Sequence, residues 1–258
     1  MANDIHSTAI IDPGAELGDG IVVGPYCVIG AGVKLGDGSR LHNHVTLAGP
    51  SEIGANNEFY PYASIGQRSQ DLKYAGEPTF LKIGDGNTFR EFCTVNRGTA
   101  PGSYTVVGSH GNYLAYSHIA HDCIVGNNAV FANAASLAGH VTVEDYVILG
   151  GFTLVHQFCQ IGAHAFTSMG SVINRDVPPF VTVAGTYAEP RGINSEGLKR
   201  RGFDSARIQS IKRAYRTIYK SGLGLAEARS QLAEAATTAP DVKLMLDFIE
   251  GSQRSLVR

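Results

Sequence analysis

The fold of this chain is decided by the stretch Val107–Leu137, which reads VGSHGNYLAYSHIAHDCIVGNNAVFANAASL. A hydrophobic side chain stands at every sixth position, in the series Val107, Tyr113, Ile119, Val125, Phe131 and Leu137. An α-helix repeats its apolar positions every three to four residues, so a strict period of six excludes a helix. A hexapeptide period instead indicates a parallel β-helix.

The same series extends in both directions along the chain. Its other members are Ile11, Leu17, Val23, Ile29, Leu35, Leu41, Leu47, Ile53, Phe59, Ile65, Ile83, Phe89, Val95, Val143, Leu149, Val155, Ile161 and Ile173, with a polar residue at Thr167. Two breaks, over 71–82 and 101–106, span two hexads and one hexad and therefore leave the phase unchanged. We therefore predict two loops inserted into a continuous β-helix.

The cysteines fall on the same repeat. All four occupy the fifth position of a hexad, where the β-helix needs a compact inward side chain: Cys27, Cys93, Cys123 and Cys159. Free cysteine behaves as a small buried hydrophobe, and the chain has no CxxC pair. This pattern and the polar start MANDIHSTAI predict a reduced cytoplasmic protein with no signal peptide and no membrane span.

Charge divides the chain into two parts. Residues 1–190 carry 8 Lys and Arg against 16 Asp and Glu, whereas residues 191–258 carry 13 against 7. Hexads end at the same boundary, so we predict a β-helix over 1–190 and a small α-helical domain over 191–258. The chain is net acidic and does not alternate basic with aromatic residues, which argues against a nucleic-acid partner.

Helical patterns fill the second part. Asp204-Ser205 is predicted to begin a helix that continues to about Tyr219, and further helices are predicted over about 225–236 and 241–248. The apolar stripe of the first helix comprises Ile208, Ile211, Ala214, Tyr215 and Ile218.

The repeat arithmetic predicts a chemical site. Three hexads form one turn in this repeat class, so equivalent positions of successive turns stack at about 4.8 Å. Gly139 then lies over His121, and His140 lies over Asp122. A carboxylate next to a histidine can orient its imidazole, and a glycine N–H above it can form an oxyanion hole.

Other histidines are interpreted differently. His42, His44 and His110 are expected to be ordinary surface residues. One trimeric β-helix family binds zinc through two histidines five apart, shared between subunits. The closest pairs here are His42 with His44 and His118 with His121, so we expect no metal site.

The chain resembles the acyl-carrier-protein-dependent UDP-N-acetylglucosamine O-acyltransferases that begin lipid A synthesis in Gram-negative bacteria. The resemblance rests on QDLKYAGEP from Gln70, HIAHDC from His118, LAGH from Leu137, VHQFC from Val155 and EGLKRRGF from Glu196. These strings follow the family's order along essentially the whole chain. Because the hexad repeat does not dictate QDLKYAGEP and EGLKRRGF, these two strings make the resemblance specific.

The resemblance implies a left-handed β-helix that assembles as a homotrimer, with active sites between subunits. It implies that His121 is the general base, that Asp122 orients it and that the Gly139 N–H holds the oxyanion, without a cofactor. The substrate-binding residues implied for UDP-N-acetylglucosamine are Asp71, Lys73, His118, His140, His156, Gln157, Asn194, Glu196, Arg200 and Arg201. The basic helical domain offers a docking surface for an acidic acyl carrier protein.

Three positions bear on substrate detail. Met169 stands where relatives that use long acyl chains have glycine, which implies a shortened acyl pocket and a donor of about ten carbons. It follows His121 by about 2.7 coils, a rise of about 13 Å at one strand spacing per coil. Asn96 and Tyr187 replace histidines expected from relatives. Whether the acceptor carries a 3-hydroxyl or a 3-amino group stays open.

Other functions remain possible at the level of sequence. The N-acyltransferase that acts later in the same pathway has a nucleotide-binding domain before its β-helix, and here the hexads begin by Ile5 or Ile11. A coenzyme A-dependent acetyl- or succinyltransferase would accept a coenzyme A thioester. If the chain were a non-catalytic scaffold, substitution of His121 by alanine would leave every measurable property unchanged.

Overall fold

A computed structural model describes residues 2–258 and shows a left-handed parallel β-helix followed by four helices. Each coil contributes one short strand to each of three sheets, which form the sides of a triangular prism. Sheet 1 contains β1 Asp4–Ile5, β4 Val22–Val23, β7 Arg40–Leu41, β10 Glu58–Phe59, β13 Thr88–Phe89, β16 Asn112–Tyr113, β19 Val130–Phe131, β22 Ile148–Leu149, β25 Phe166–Thr167, β27 Val181–Ala184 and β28 Glu189–Ile193.

The other two sides are built in the same way. Sheet 2 contains β2 Ile10–Ile11, β5 Val28–Ile29, β8 Thr46–Leu47, β11 Ser64–Gln67, β14 Thr94–Asn96, β17 His118–Ile119, β20 Ser136–Leu137, β23 Leu154–Val155 and β26 Val172–Ile173. Sheet 3 contains β3 Glu16–Leu17, β6 Val33–Leu35, β9 Ser51–Ile53, β12 Phe80–Ile83, β15 Tyr104–Val107, β18 Ile124–Val125, β21 Thr142–Val143 and β24 Gln160–Ile161.

The strand register follows the predicted arithmetic. Ile119 pairs with Leu137, which stands three hexads later in the sequence. At the two breaks the partners are Ile65 with Val95 and Ile83 with Val107, separations of five and four whole hexads that keep the same phase. The segments outside the strands are 68–79 and 97–103, because Phe80 and Tyr104 already begin strands. The number of missing hydrophobic positions predicts the length of an inserted segment, but it does not predict the residue at which the segment leaves the coil.

The interior of the prism holds the hydrophobic series. Its members are buried over most of the β-helix, and Phe59, Phe89 and Tyr113 stack in it with ring centroids 5.2 and 4.8 Å apart. All four cysteines are free and buried, which confirms their predicted structural role. Their compact side chains fit the inward position where the chain turns toward the next strand.

The corners of the prism repeat one backbone conformation, a residue with φ near 60° in the left-handed region. We name three columns of such corners. The aromatic edge, between sheets 1 and 2, consists of Tyr26, His44, Tyr62, Phe92, Tyr116, Ala134, Phe152 and Gly170. The histidine edge, between sheets 2 and 3, includes Asp122, His140 and Phe158. The junction edge, between sheets 3 and 1, includes His110, Asn128, Tyr146, His164 and Phe180.

The helices largely match their predicted bounds. They are α1 Ser195–Arg200, α2 Ser205–Tyr219, α3 Leu225–Ala236 and α4 Pro240–Gly251. Asp204 caps α2 by accepting a hydrogen bond from the Arg207 N–H, and the predicted apolar stripe of α2 is buried. The short α1 was not predicted. The antiparallel β28 spans residue 190, where we placed the division between repeats and helices.

None of the helices within residues 2–258 is long and apolar enough to cross a membrane.

Candidate active site

His121 lies just beyond β17, at the turn into the histidine edge, with 13% of its side chain exposed. The next coil passes directly over it, since the His140 N–H donates a hydrogen bond of 3.1 Å to the His121 carbonyl. The predicted stacking of Gly139 and His140 on His121 and Asp122 is therefore confirmed. The β-helix repeat brings these four residues together although they belong to two successive coils.

Asp122 holds the orientation of the His121 imidazole. Its Oδ2 lies 2.8 Å from the Nδ1 of His121, and its carboxylate also accepts hydrogen bonds from the Thr99 N–H. Burial raises the pKa of Asp122, but the hydrogen bonds that its carboxylate accepts outweigh this effect and the net shift is downward. When Nδ1 carries the ring proton of His121, Asp122 accepts a hydrogen bond from it, and the lone pair of Nε2 can then accept a proton.

Gly139 is required by the position of the imidazole. A Cβ at this residue would overlap the His121 ring and lie 2.6 Å from Nε2. Within residues 2–258 the Gly139 N–H has no hydrogen-bond acceptor. The site therefore combines a proton acceptor and an unused N–H donor on neighbouring coils, a pairing suited to acyl transfer.

The first inserted segment brings a second carboxylate to the imidazole. Asp71 Oδ2 lies 3.9 Å from the Nε2 of His121, whereas Asp122 contacts Nδ1. The loop holds this orientation because the Ser69 hydroxyl accepts the Asp71 N–H at 3.1 Å and Asp71 Oδ1 accepts the Lys73 N–H at 2.9 Å. The Lys73 side chain is exposed beside it.

Two further histidines line this region. His140 stacks on Phe158, with ring centroids 4.7 Å apart, and meets His121 edge-on at 5.2 Å. His118 Nδ1 lies 2.7 Å from the Thr94 hydroxyl. Burial, and next the charge of His121, lowers the pKa of His118, so His118 is neutral near pH 7. A neutral His118 can still donate or accept one hydrogen bond toward a ligand.

Comparison with known proteins gives the same family from sequence and from structure. Residues 176–257 match the family model described as UDP N-acetylglucosamine O-acyltransferase, domain 2. A curated relative from Stenotrophomonas maltophilia, an acyl-[acyl-carrier-protein]–UDP-N-acetylglucosamine O-acyltransferase, is 58% identical over an alignment that covers 98% of this chain and 97% of the relative. The chain belongs to the UDP-N-acetylglucosamine O-acyltransferase family.

Solved structures of this acyltransferase family have the same architecture. The Francisella novicida UDP-N-acetylglucosamine acyltransferase is 39% identical, with a TM-score of 0.95 over 98% of this chain and 94% of its own. The Moraxella catarrhalis UDP-N-acetylglucosamine O-acyltransferase is 41% identical, with a TM-score of 0.95 over 98% of this chain and 99% of its own. The likeness extends over the β-helix and the helices together.

In this member of the acyltransferase family, some predicted site residues lie away from His121. Asn194 and Arg201 lie at the junction edge, where Asn194 donates to the His164 carbonyl and caps α1, and Arg201 approaches His164 Nδ1 at 3.3 Å. Glu196 is exposed and pairs with Lys199. Arg200 is exposed in the same short helix.

The remaining predicted residues occupy the upper coils. Gln157 lies one coil above Gly139 and is exposed, as is His156, whose Nδ1 lies 3.1 Å from the Gln157 carbonyl oxygen. Met169 lies on the aromatic edge with 79% of its surface exposed. Within one chain, Met169 and His121 therefore lie on different edges of the prism.

Sequence reasoning missed three supporting residues. Thr99 donates its N–H to Asp122, the Thr105 hydroxyl accepts the Asp122 N–H at 2.8 Å, and Phe158 supports the His140 ring. Phe158 follows His140 by one full coil, so the coil arithmetic could have found it. Thr99 carries no such signal, because it belongs to an inserted segment whose path the repeat does not determine.

Proposed function

We propose that this protein transfers a 3-hydroxyacyl chain from acyl carrier protein to the 3-hydroxyl of UDP-N-acetylglucosamine, the first step of lipid A biosynthesis. The observation that carries this proposal is the His121 imidazole, held by Asp122 at Nδ1 and packed against Gly139, whose N–H has no acceptor within residues 2–258. The names of the relatives supply the substrates, and the geometry supplies groups suited to the reaction.

The proposed reaction begins when His121 Nε2 accepts the proton of the sugar 3-hydroxyl. The hydroxyl oxygen attacks the thioester carbonyl, and the Gly139 N–H donates a hydrogen bond to the oxyanion that forms. Collapse of this intermediate breaks the C–S bond, and the imidazolium returns the proton to the departing thiolate. Both substrates bind together in this sequence, so it needs no covalent acyl-enzyme. Asp122 supports the step by stabilising the imidazolium.

Substrate contacts are proposed for polar groups around this centre. Asp71, Lys73, His118 and His140 lie near His121 and suit the sugar and its phosphate end, with His156 and Gln157 on the coil above. Asn194, Glu196, Arg200 and Arg201 are proposed to hold the uridine diphosphate, because a guanidinium binds phosphate with two parallel hydrogen bonds. Since Asn194 and Arg201 lie on the junction edge, we infer that a neighbouring subunit completes the site.

A homotrimer is proposed as the active form. Five rings of the aromatic edge, from Tyr26 to Tyr116, stack in a continuous column with centroids 4.8–5.1 Å apart. Tyr26, Tyr116 and Phe152 are each at least 60% exposed. An exposed column of stacked rings, four of them tyrosine or phenylalanine, is typical of a protein interface, and closed rotational symmetry is the usual outcome.

Acyl carrier protein is proposed to dock on the helical part. The 13 Lys and Arg against 7 Asp and Glu after residue 190 favour an acidic partner, and complementary charge speeds its encounter. Met169 is proposed to end the acyl pocket from a neighbouring subunit.

The test is a product assay. Purified protein is incubated with UDP-N-acetylglucosamine and a panel of 3-hydroxyacyl carrier proteins, and the products are weighed by mass spectrometry. We expect a singly acylated UDP-N-acetylglucosamine and no comparable product from coenzyme A thioesters. An acylated UDP-3-amino sugar only, equal use of coenzyme A thioesters, or no transfer would contradict the proposal.

A further inference from the structure

Three potential metal ligands meet on the histidine edge. A ring nitrogen of His121, a carboxylate oxygen of Asp122 and a ring nitrogen of His140 lie within 4.8 Å of one another. Two of the separations are 2.8 Å, from Asp122 Oδ2 to His121 Nδ1, and 3.8 Å, from Asp122 Oδ2 to His140 Nε2. We propose that these groups form a zinc-binding site, and that zinc bound there inhibits the enzyme reversibly.

The fold holds the three ligands close together before any metal binds. Asp122 and His140 occupy the same corner position on successive coils, with φ of 58° and 61°. The Thr99 N–H fixes the carboxylate, and the ring of Phe158 supports the imidazole of His140 with an interplanar angle of 7°. Neighbours that orient metal ligands in this way strengthen metal binding. In a tetrahedral zinc site the ligand atoms are roughly 3.3 Å apart, which lies between the separations of 2.8 and 3.8 Å found here.

The ligand set selects a class of metal. Two imidazoles and one carboxylate, with a fourth position left to solvent, are typical of a zinc site with an exchangeable ligand. Calcium and magnesium prefer oxygen ligands throughout and do not suit two imidazoles. The His140 side chain is 40% exposed, which gives the metal an entry path from solvent. The sequence-based expectation of no metal considered histidine pairs close in sequence, whereas this site joins residues one coil apart.

Inhibition follows from the tautomer of His121. The proposed reaction requires the tautomer in which Nδ1 carries the proton and donates a hydrogen bond to Asp122, because the lone pair of Nε2 is then the proton acceptor. Zinc at Nδ1 occupies the lone pair of that nitrogen, and the single proton of the neutral ring must then reside on Nε2. A protonated Nε2 cannot accept the proton of the acceptor hydroxyl. This consequence rests on the proposed function, whereas zinc binding itself does not.

The binding experiment uses crystals of the full chain grown with zinc chloride, and anomalous scattering recorded at the zinc absorption edge. We expect one peak per chain at about 2.0–2.2 Å from His121 Nδ1, Asp122 and His140 Nε2. Calorimetric titration with zinc is expected to give one equivalent per chain, and His140→Asn to weaken binding at least about tenfold. Asparagine tolerates the left-handed φ at this position. A peak elsewhere, or unchanged affinity in His140→Asn, would overturn the site.

The matched control is His110→Asn, because His110 is an exposed histidine with φ of 60° on the junction edge. It is expected to retain basal activity, zinc affinity and inhibition. In the product assay, stoichiometric zinc is expected to abolish turnover of the wild type, a chelator to restore it, and magnesium to have no such effect. Zinc at the site in a protein that transfers no acyl group would contradict the proposed function alone. Normal transfer that is insensitive to zinc would contradict inhibition alone.

Discussion

On both the histidine edge and the aromatic edge the chain turns through a residue with φ near 60°, yet the two columns carry opposite chemistry. The aromatic edge presents rings that stack on one another from Tyr26 to Tyr116. The histidine edge has its column interrupted by two inserted segments and places Asp122, His140 and Asp71 around one imidazole. The same backbone therefore supports a surface for association and a polar cleft.

Specificity in this fold resides in the residues at the corners of the prism. The repeat fixes the height and direction of each corner side chain, so a single residue choice per coil decides what that corner does. Inserted segments add groups that the repeat alone cannot supply, such as Asp71 and the Thr99 N–H. Equivalent substitutions on the histidine edge and on the aromatic edge should therefore have different effects on activity and on assembly.

The largest effect is expected from His121→Ala. Loss of the general base should lower turnover by at least about a hundredfold while the fold is retained, because the side chain projects at a corner and not into the core. Activity is measured in the product assay, and folding by circular dichroism. The control, His110→Ala, makes the same change on the junction edge. A variant with more than about a third of wild-type turnover would show that His121 is not the base.

A second comparison uses glycines at matching corner positions, Gly139 on the histidine edge and Gly151 on the aromatic edge. A Cβ at Gly139 would overlap His121, whereas a Cβ at Gly151 has its closest contact at 3.4 Å. We expect Gly139→Ala to lower kcat about tenfold to a hundredfold by displacing the imidazole. Gly151→Ala should behave as the wild type. Equal effects of the two variants would mean that the contact with His121 is not the reason for glycine.

Met169→Gly tests whether the aromatic edge contributes to the acyl pocket. Removing this exposed side chain should shift the preferred donor from about ten carbons toward longer chains. Two added methylenes correspond to about 1.6 kcal/mol, so the ratio of kcat/KM for the two lengths should change about tenfold. The measurement is competition between two 3-hydroxyacyl carrier proteins. Met169→Leu, which keeps a bulky side chain, should retain the original preference, and an unchanged preference in Met169→Gly would rule out the assignment.

Phe92→Asp tests the aromatic edge as an interface. Phe92 lies between Tyr62 and Tyr116 in the column, with ring centroids 5.0 and 4.8 Å away, and is 42% exposed. A buried unpaired carboxylate there is expected to weaken assembly by a few kcal/mol. Light scattering across protein concentrations measures the oligomer, and His110→Asp serves as the control at an exposed corner. A wild-type monomer at micromolar concentration would already contradict the proposed trimer.

The smallest expected effect concerns the junction edge and pH. Burial, and next the charge of Arg201, lowers the pKa of His164 from 6.5 to about 4. Between these values the unfolded chain binds more protons than the folded chain, so the free energy of unfolding falls as the pH drops from 6.5 to about 4. Because the side chain is partly exposed, we expect His164 to contribute about 1–2 kcal/mol across that window. Denaturant unfolding of wild type and His164→Asn should show a shallower pH slope in the variant, and equal slopes would contradict this assignment.

Much of the site could be predicted from periodicity because the β-helix converts sequence distance into vertical position. Gly139 over His121 and His140 over Asp122 follow from a separation of three hexads, and the structure has both. The helix α2 was predictable from its cap Asp204 and its apolar stripe, since both signals are local. The five sequence strings that resemble the acyltransferase family then predicted catalytic roles for these positions.

The parts that could not be predicted depend on contacts outside the repeat. The approach of Asp71 to His121 depends on the path of an irregular segment held by its own hydrogen bonds. The contact of Arg201 with His164 depends on how α1 meets the last coils, and α1 is a short helix of less than two turns. Short helices carry too few residues for an apolar period to be recognised.

The two inserted segments determine where this chain can change in length. Both lie outside the strands, and the register of the flanking strands is set by their pairing, Ile65 with Val95 and Ile83 with Val107. The segment that carries Asp71 can therefore gain or lose residues without disturbing the coils that follow. A residue added within a coil, such as one just before Val95, would instead turn inward side chains outward until the next loop restored the register.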